Sequence, residues 1–297
     1  MSDGFVDLHV HSTASDGTFA PAEVARLAKA SGLAGFALTD HDTVAGVAEA
    51  GEEAKRLGLE FLVGIEISVE YPRPGTLHML GYGVDTASEA LRELSVWQVE
   101  SRNRRNPRIV QRLRELGVAI TMEEVEAMAG SEVVGRPHVA EVLVRKGYVG
   151  SAKQAFDKYL GQGGSAYENR QRLPARRAME LIARSGGVAV LAHPVQLATE
   201  NDAQLERVVK DLVDLGLGGI EVIHSDHSAE LVEKYTKLAE RFGLLKTGGS
   251  DFHGVNKKEI QLGVANGRRI PRGMMDELLK RGGRRGFGVE ETMNDER

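Results

Sequence analysis

The chain alternates between two patterns in a way that few architectures satisfy. Seven short apolar, β-rich runs lie at 5–10, 35–39, 60–68, 77–82, 188–192, 219–224 and 244–248. Helical patterns follow most of them, at 21–31, 44–57, 174–185, 203–215 and 228–242, with a last one at 271–281. Pro21 opens the first helical pattern and Gly32 lies just beyond its end, the usual asymmetry of helix boundaries. Repeated strand–helix units imply an α/β fold with a mainly parallel sheet. The periodicity leaves both a closed or nearly closed barrel and an open doubly wound sheet standing.

Between 85 and 173 the alternation stops. Residues 88–129 read as helical with a break at Gly117, and 137–145 and 152–159 as two shorter helices. A glycine-rich loop at 161–165 follows, and its spacing matches no phosphate-loop or dinucleotide fingerprint. The expected organisation is therefore a barrel domain from 1–84 and 174–297, with 85–173 as a helical insertion that covers the substrate. The tail after Gly286 reads as acidic and loose.

Composition closes off several chemistries. The 297 residues include no cysteine, so disulfides and thiolate metal sites are excluded and any ion must sit on imidazole or oxygen. The N-terminus lacks a basic segment followed by a long apolar one, and no apolar stretch approaches the roughly 20 residues of a membrane helix. A cytoplasmic protein with no membrane partner is expected. No obligate protein partner is evident. The net charge of −5 argues against non-specific nucleic-acid binding, unless bound cations reverse the local field.

The polar residues at the strand ends carry the chemistry. His9 and His11 end the first run, Asp40 and His41 the second, and Glu66 lies near the end of the third. His78 is on the fourth, His193 follows the fifth, Glu221 and His224 end the sixth, and Asp251 and His253 follow the seventh. Active sites of α/β barrels and sheets form at the C-terminal strand ends, so these side chains would converge. Residues i and i+2 of a strand point the same way, so His9 and His11 stand side by side while Val10 packs behind. Imidazole with carboxylate suits Zn, Mn, Fe or Ni, and paired ions suit phosphoester hydrolysis.

The segments Asp7-Leu8-His9-Val10-His11-Ser12, Thr39-Asp40-His41-Asp42, Gly64-Ile65-Glu66, Ala192-His193-Pro194 and Ser250-Asp251-Phe252-His253 resemble, in order, the motifs of the polymerase-and-histidinol-phosphatase (PHP) family. The resemblance implies a distorted (β/α)7 TIM-like barrel and two or three divalent ions, Mn²⁺ first, with Zn²⁺, Fe²⁺ or Mg²⁺ as alternatives. It implies one ion on His9, His11, Glu66 and Asp251, a second on Glu66, His78 and His193, and a third on Asp16, His41 and His253. The implied chemistry is in-line attack of water on phosphorus. Asp40 would orient a ligating imidazole, and the acid for the leaving oxygen would be His193, His227 or a water. Gly135-Arg136-Pro137-His138, Gly186-Gly187 and Ser225-Asp226-His227-Ser228 further resemble the branch acting on nucleoside 3′,5′-bisphosphates and on the 5′ ends of short RNAs. There Arg136 and His138 would bind a substrate phosphate.

The expected activity is thus removal of the 3′-phosphate from nucleoside 3′,5′-bisphosphates, with trimming of short 5′-phosphorylated RNA beside it. The alternatives are a small-metabolite phosphatase, such as one for histidinol phosphate, and a non-catalytic metal-stabilised module. His224 reads equally as a residue packed at the strand end, and His227 as one that simply precedes a capped helix. The arginines between Arg92 and Arg114, and those at 170, 172, 176 and 177, read as solvated faces more readily than as a groove for a nucleic-acid backbone.

Overall fold

A computed structural model describes residues 4–130, 134–169 and 171–281. The expected loose tail and Arg170 lie outside these residues. Around the sheet run β1 (Phe5–Asp7), β2 (Gly35–Leu38), β3 (Glu60–Val69), β4 (Leu77–Tyr82), β5 (Val188–Leu191), β6 (Gly219–Ile223) and β7 (Leu245–Gly248). A hairpin of β8 (Val264–Ala265) and β9 (Arg268–Pro271) extends it. The sheet order is β7-β6-β5-β4-β3-β2-β1-β9-β8.

The helices are α1 (Pro21–Ala30), α2 (Val47–Leu57), α3 (Glu89–Glu115), α4 (Met122–Ala129), α5 (Arg136–Arg145), α6 (Ala152–Ala155), α7 (Ala175–Arg184), α8 (Asp202–Asp214), α9 (Ala229–Phe242) and α10 (Gly273–Arg281). None of them is long and apolar enough to cross a membrane.

The sheet bends into a nearly closed barrel. Backbone bonds from Leu8 N to Gly248 O (3.3 Å), Asp251 N to His9 O (2.9 Å) and His11 N to Phe252 O (3.0 Å) join the end of β7 to the end of β1. That approach requires glycine at 249, where an added Cβ would fall 2.2 Å from His9 Cβ. Val6, Leu8, Val10, Phe36, Leu38, Ile65, Ile67 and Met79 are all buried. Strands covered on both faces read as continuous apolar runs for this reason.

The sheet is less parallel than the alternation suggests. β4 runs antiparallel to both β3 and β5, and β9 runs antiparallel to β1. Only seven residues separate β3 from β4, too few for the helical crossover that a parallel pair needs. The β8–β9 hairpin was not anticipated. Its turn is Asn266-Gly267, and both residues have positive φ (47° and 73°). Two such residues make the tight turn that matches strand twist, and Asn-Gly favours it.

The described residues fall into two compact units, drawn from Met1–Arg92 with Leu173–Arg297 and from Glu93–Arg172. The first turn of α3 groups with the barrel residues. The second unit has its own core, including Ile109, Leu113, Val139, Leu143 and Leu160. Helix α4 is held at its start by Thr121, whose Oγ1 accepts from Glu124 N while Glu124 Oε2 accepts from Thr121 N.

Candidate metal centre

Glu66 is the hub of the barrel's polar end. It lies on β3, is fully buried, and its two oxygens face five imidazoles. Oε2 lies 3.3 Å from His9 Nε2, 3.3 Å from His11 Nε2 and 3.0 Å from His41 Nδ1. Oε1 lies 2.9 Å from His78 Nδ1 and 3.0 Å from His193 Nε2.

The folding logic is local. His9 and His11 alternate with Val10, which pairs with Phe252 across the barrel seam. His78 is the second residue of β4, and because β4 is antiparallel to β3 it lies opposite Ser68, near the end of β3. The reversed strand thus delivers a histidine to the same barrel end as its parallel neighbours. His193 and Asp251 hold backbone φ of 24° and 59°, in the left-handed region that ordinary residues avoid. Strain at such positions persists where the surroundings over-determine it.

The donor atoms form overlapping groups, each with ligand atoms within 4.8 Å of one another. One is His9, His11, Glu66 and Asp251; another is His11, Asp16, His41 and His253; a third is His41, Glu66 and His78. All nine residues singled out by the resemblance therefore meet here, with His193 joined through Glu66. A fourth group, His9, Glu221 and His224, involves two residues not assigned as ligands from the sequence. Glu221 Oε1 accepts from His9 Nδ1 at 3.0 Å, and its Oε2 accepts from the backbone N–H of His193 at 2.8 Å. A carboxylate behind a ligating imidazole fixes which ring nitrogen is free. His253 is oriented likewise, with Nδ1 on its neighbour's carbonyl, Asp251 O, at 2.8 Å.

Divalent ions fit this donor set. His9 Nε2, both ring nitrogens of His11, Glu66 Oε2 and His193 Nδ1 are buried without a hydrogen-bond partner from the protein. Polar atoms buried in that state are costly, and a cation is what their lone pairs would satisfy. The donors are imidazole nitrogen and carboxylate oxygen, the set that binds Zn, Mn and Fe.

The ionisation states agree. Burial opposes charge on His11, but the Asp251 and Glu66 carboxylates, each 3.3 Å from its Nε2, lift it to about 9. His9 is likewise raised: burial opposes the charge, but Glu221, Glu66 and Asp251 outweigh it. Burial pushes His41 down to about 4, so its ring is neutral. Glu66 and Asp251 stay well below the usual carboxylate range, since the surrounding histidines outweigh their desolvation. Near pH 7 the metal-free site therefore carries protons on His9 and His11. Ion binding must displace them, and affinity must fall as pH falls. Calorimetric titration with Mn²⁺ at pH 7 should give heats that scale with buffer ionisation enthalpy. Heats independent of the buffer would contradict these protonation states.

Asp40, His227, Arg136 and His138 lie outside these donor groups. Among the described residues Asp40 has no hydrogen bond to an imidazole. It accepts from Ser12 N (2.7 Å), Ser12 Oγ (2.7 Å) and Ser15 Oγ (2.6 Å), and so clamps the loop between His11 and Asp16. His227 is fully buried, with Nδ1 on Val222 O at 3.0 Å, its ring 4.8 Å from that of Tyr235, and burial pushes it down to about 4. Arg136 donates from Nη1 to Leu160 O at 3.0 Å, and its guanidinium lies 5.8 Å from both the Phe156 and Tyr167 rings. His138 Nδ1, on the same helix turn, accepts from Gly135 N at 3.0 Å.

Two buried carboxylates quoted within the family-like segments were assigned no role from the sequence. Asp7 accepts from Ser250 N, Ser250 Oγ and Gly263 N at 2.6–2.9 Å, tying β1 to the loop that carries Asp251. Asp42 accepts from Ser68 N and Oγ, both at 3.0 Å, just beyond His41. Their only sequence signal is position beside a metal-ligand motif.

Comparison with known proteins gives the same picture. The PHP domain profile matches residues 7–222. A Chromobacterium violaceum protein named 3′,5′-nucleoside bisphosphate phosphatase is 37% identical over 249 residues, 84% of this chain and 87% of that protein. A Haemophilus influenzae protein named 5′-3′ exoribonuclease is 35% identical over 83% of this chain and 89% of its own. An Eggerthella lenta protein named phosphoribosyl 1,2-cyclic phosphate 1,2-diphosphodiesterase is 36% identical over 84% and 94%. Among solved structures, a C. violaceum amidohydrolase with bound sulfate and no metal matches with TM-score 0.73 and 35% identity, over 93% of this chain and 96% of that one. Phosphoester hydrolysis is the reaction class that the three named relatives share. With its motifs, barrel and donor cluster in agreement, this chain belongs to the PHP domain family.

Proposed function

We propose that this protein is a metal-dependent phosphoester hydrolase that removes the 3′-phosphate from nucleoside 3′,5′-bisphosphates, with short 5′-phosphorylated RNA as a second substrate. The observation that carries the reading is Glu66, one buried carboxylate shared among five imidazoles. A carboxylate with partners on both oxygens is suited to bridging two ions. The relatives' names supply the substrate class, and the sulfate in the C. violaceum structure is a tetrahedral oxyanion like phosphate.

In this reading His9, His11, Glu66 and Asp251 hold one ion, Glu66, His78 and His193 a second, and Asp16, His41 and His253 a third. Mn²⁺ is the proposed metal. Ions bound there supply Lewis-acid stabilisation of charge on the phosphoryl oxygens and activation of water. The protein's own residues do the rest. Asp40 holds the loop bearing Asp16 through Ser12 and Ser15. A water is the proposed proton source for the leaving oxygen, because His193 serves as a ligand beside Glu66 and burial lowers its pKa. His227, neutral near pH 7 and bonded to Val222 O, is the weaker candidate. Arg136 and His138 are the proposed phosphate contacts of the second unit, since guanidinium forks onto phosphate oxygens.

The test is phosphate release from adenosine 3′,5′-bisphosphate by protein stripped of metal and reloaded with Mn²⁺. A 5′-phosphorylated RNA and a 1,2-cyclic phosphate of ribose run alongside. Release is expected, falling roughly 100-fold or more in His9→Ala, because the ions supply several kcal/mol of charge stabilisation. No release from any of the three by fully loaded protein would refute the reading. It would favour small phosphate esters such as histidinol phosphate, or a metal-stabilised module without turnover.

A further inference from the structure

Lys257 brings an ammonium group to the metal centre that the proposed chemistry has not yet used. Its Nζ lies 2.5 Å from Asp251 Oδ2. The other oxygen of the same carboxylate, Oδ1, faces inward, 3.3 Å from His11 Nε2 and 3.5 Å from His9 Nε2. Asp251 is therefore shared between a ligand group on one side and a lysine on the other. Its side chain is 8% exposed, whereas that of Lys257 is 38% exposed, so the ammonium stands where the buried cluster meets solvent.

The turn that carries Lys257 is fixed in place. Thr18 Oγ1 accepts from Val255 N at 3.0 Å, and Asn256 Nδ2 donates to Asp16 O at 2.8 Å. Gly254 holds φ of 66°, and an added Cβ would fall 2.1 Å from Thr18 Oγ1. The single helical turn Gly254–Lys257 is thus bolted to the loop that supplies Asp16. The turn is held by two hydrogen bonds and a close approach at Gly254, and the ion pair with Asp251 holds the lysine side chain itself.

The chemistry of the pair depends on the ion. Without metal, the full charge of Asp251 attracts Lys257. A divalent ion on Asp251 would take up much of that charge and weaken the hold on the ammonium. A lysine ammonium is a compact cation with three donors and suits phosphate oxygens.

We propose that Lys257 is a substrate-binding residue that contacts a non-bridging oxygen of the phosphoryl group being hydrolysed, and then of the phosphate product. This rests on the phosphoester-hydrolase reading above. The competing role is a counter-ion for Asp251 alone, which would touch no substrate.

The experiment compares full-length wild type, Lys257→Met and Lys257→Arg, each loaded with Mn²⁺ and its metal content measured by plasma mass spectrometry. Inorganic phosphate binding is measured by calorimetry, and KM and kcat with adenosine 3′,5′-bisphosphate. At wild-type metal content, Lys257→Met should bind phosphate roughly 10–100-fold more weakly, the worth of one charge-assisted hydrogen bond, and its KM should rise. Lys257→Arg should recover part of the loss. Unchanged phosphate affinity in Lys257→Met would overturn the proposal and leave Lys257 as a counter-ion. So would a loss of metal in Lys257→Met with phosphate affinity per loaded site intact. Wild type that is fully loaded yet neither binds phosphate nor cleaves any ester would instead sink the hydrolase reading itself.

Discussion

Glu66→Gln is expected to abolish tight metal binding and activity together while leaving the barrel folded. The substitution keeps size and shape but replaces a charged oxygen with an amide nitrogen. Oε1 and Oε2 lie within 3.3 Å of five imidazole nitrogens, so no neighbouring carboxylate can take over both roles. The metal-free protein loses the charge that helps hold protons on His9 and His11, and both rings should titrate closer to their ordinary range. Even a carboxylate lying behind a ligand is worth roughly 10–100-fold in metal affinity, so the loss here should exceed that. Metal content after dialysis, set beside circular dichroism, reads the result. A folded Glu66→Gln protein with wild-type metal content would show that the ions bind elsewhere.

Glu221→Gln should also weaken metal binding, from a position behind His9 and His193. Glu221 accepts two N–H groups, one per oxygen: His9 Nδ1 and the backbone of His193. Glutamine has one acceptor and one donor at the same positions. One of the two N–H groups must then face an NH₂. If His9 changes tautomer to accept from that NH₂, its Nε2 becomes protonated and can no longer serve an ion. If instead the amide turns over, the backbone of His193 loses its partner at a residue already strained at φ of 24°. Either outcome should lower metal affinity by roughly 10–100-fold. The proton on His9 Nδ1 can be followed by nitrogen NMR of the imidazole. Wild-type affinity in a folded variant would mean that Glu221 only balances charge.

Some elements were readable because one local rule governed them. The pairs His9–His11 and Asp251–His253 rest on the two-residue period of extended chain, which needs no knowledge of neighbours. Helices α1, α8 and α9 carry apolar periodicity, and the structure begins them at Pro21, Asp202 and Ala229, within one residue of the starts at 21, 203 and 228 expected from the sequence. The β8–β9 hairpin also carried a local signal, Asn266-Gly267, but strands of two and four residues hold too little apolar pattern to draw notice.

Other features depended on distance in space. Asp40 reads as a partner for an imidazole, yet two serines from another loop reach it first. Asp7 becomes a tie only because Ser250 and Gly263, more than 240 residues later, fold against it. Glu221 and His224 stand at a strand end like the proposed ligands do, and sequence position cannot separate an ion-facing carboxylate from one behind a ring.

The sequence by itself determined the alternation of strands and helices, the residues able to bind an ion, and the family they belong to. All three follow from residue type and short spacing, which the chain carries wherever it goes. Only the tertiary structure decided the antiparallel course of β4, the partners of each carboxylate, and the meeting of Lys257 with Asp251. These depend on which segments the closed barrel brings together, and that outcome is set by packing and hydrogen bonding across the whole chain.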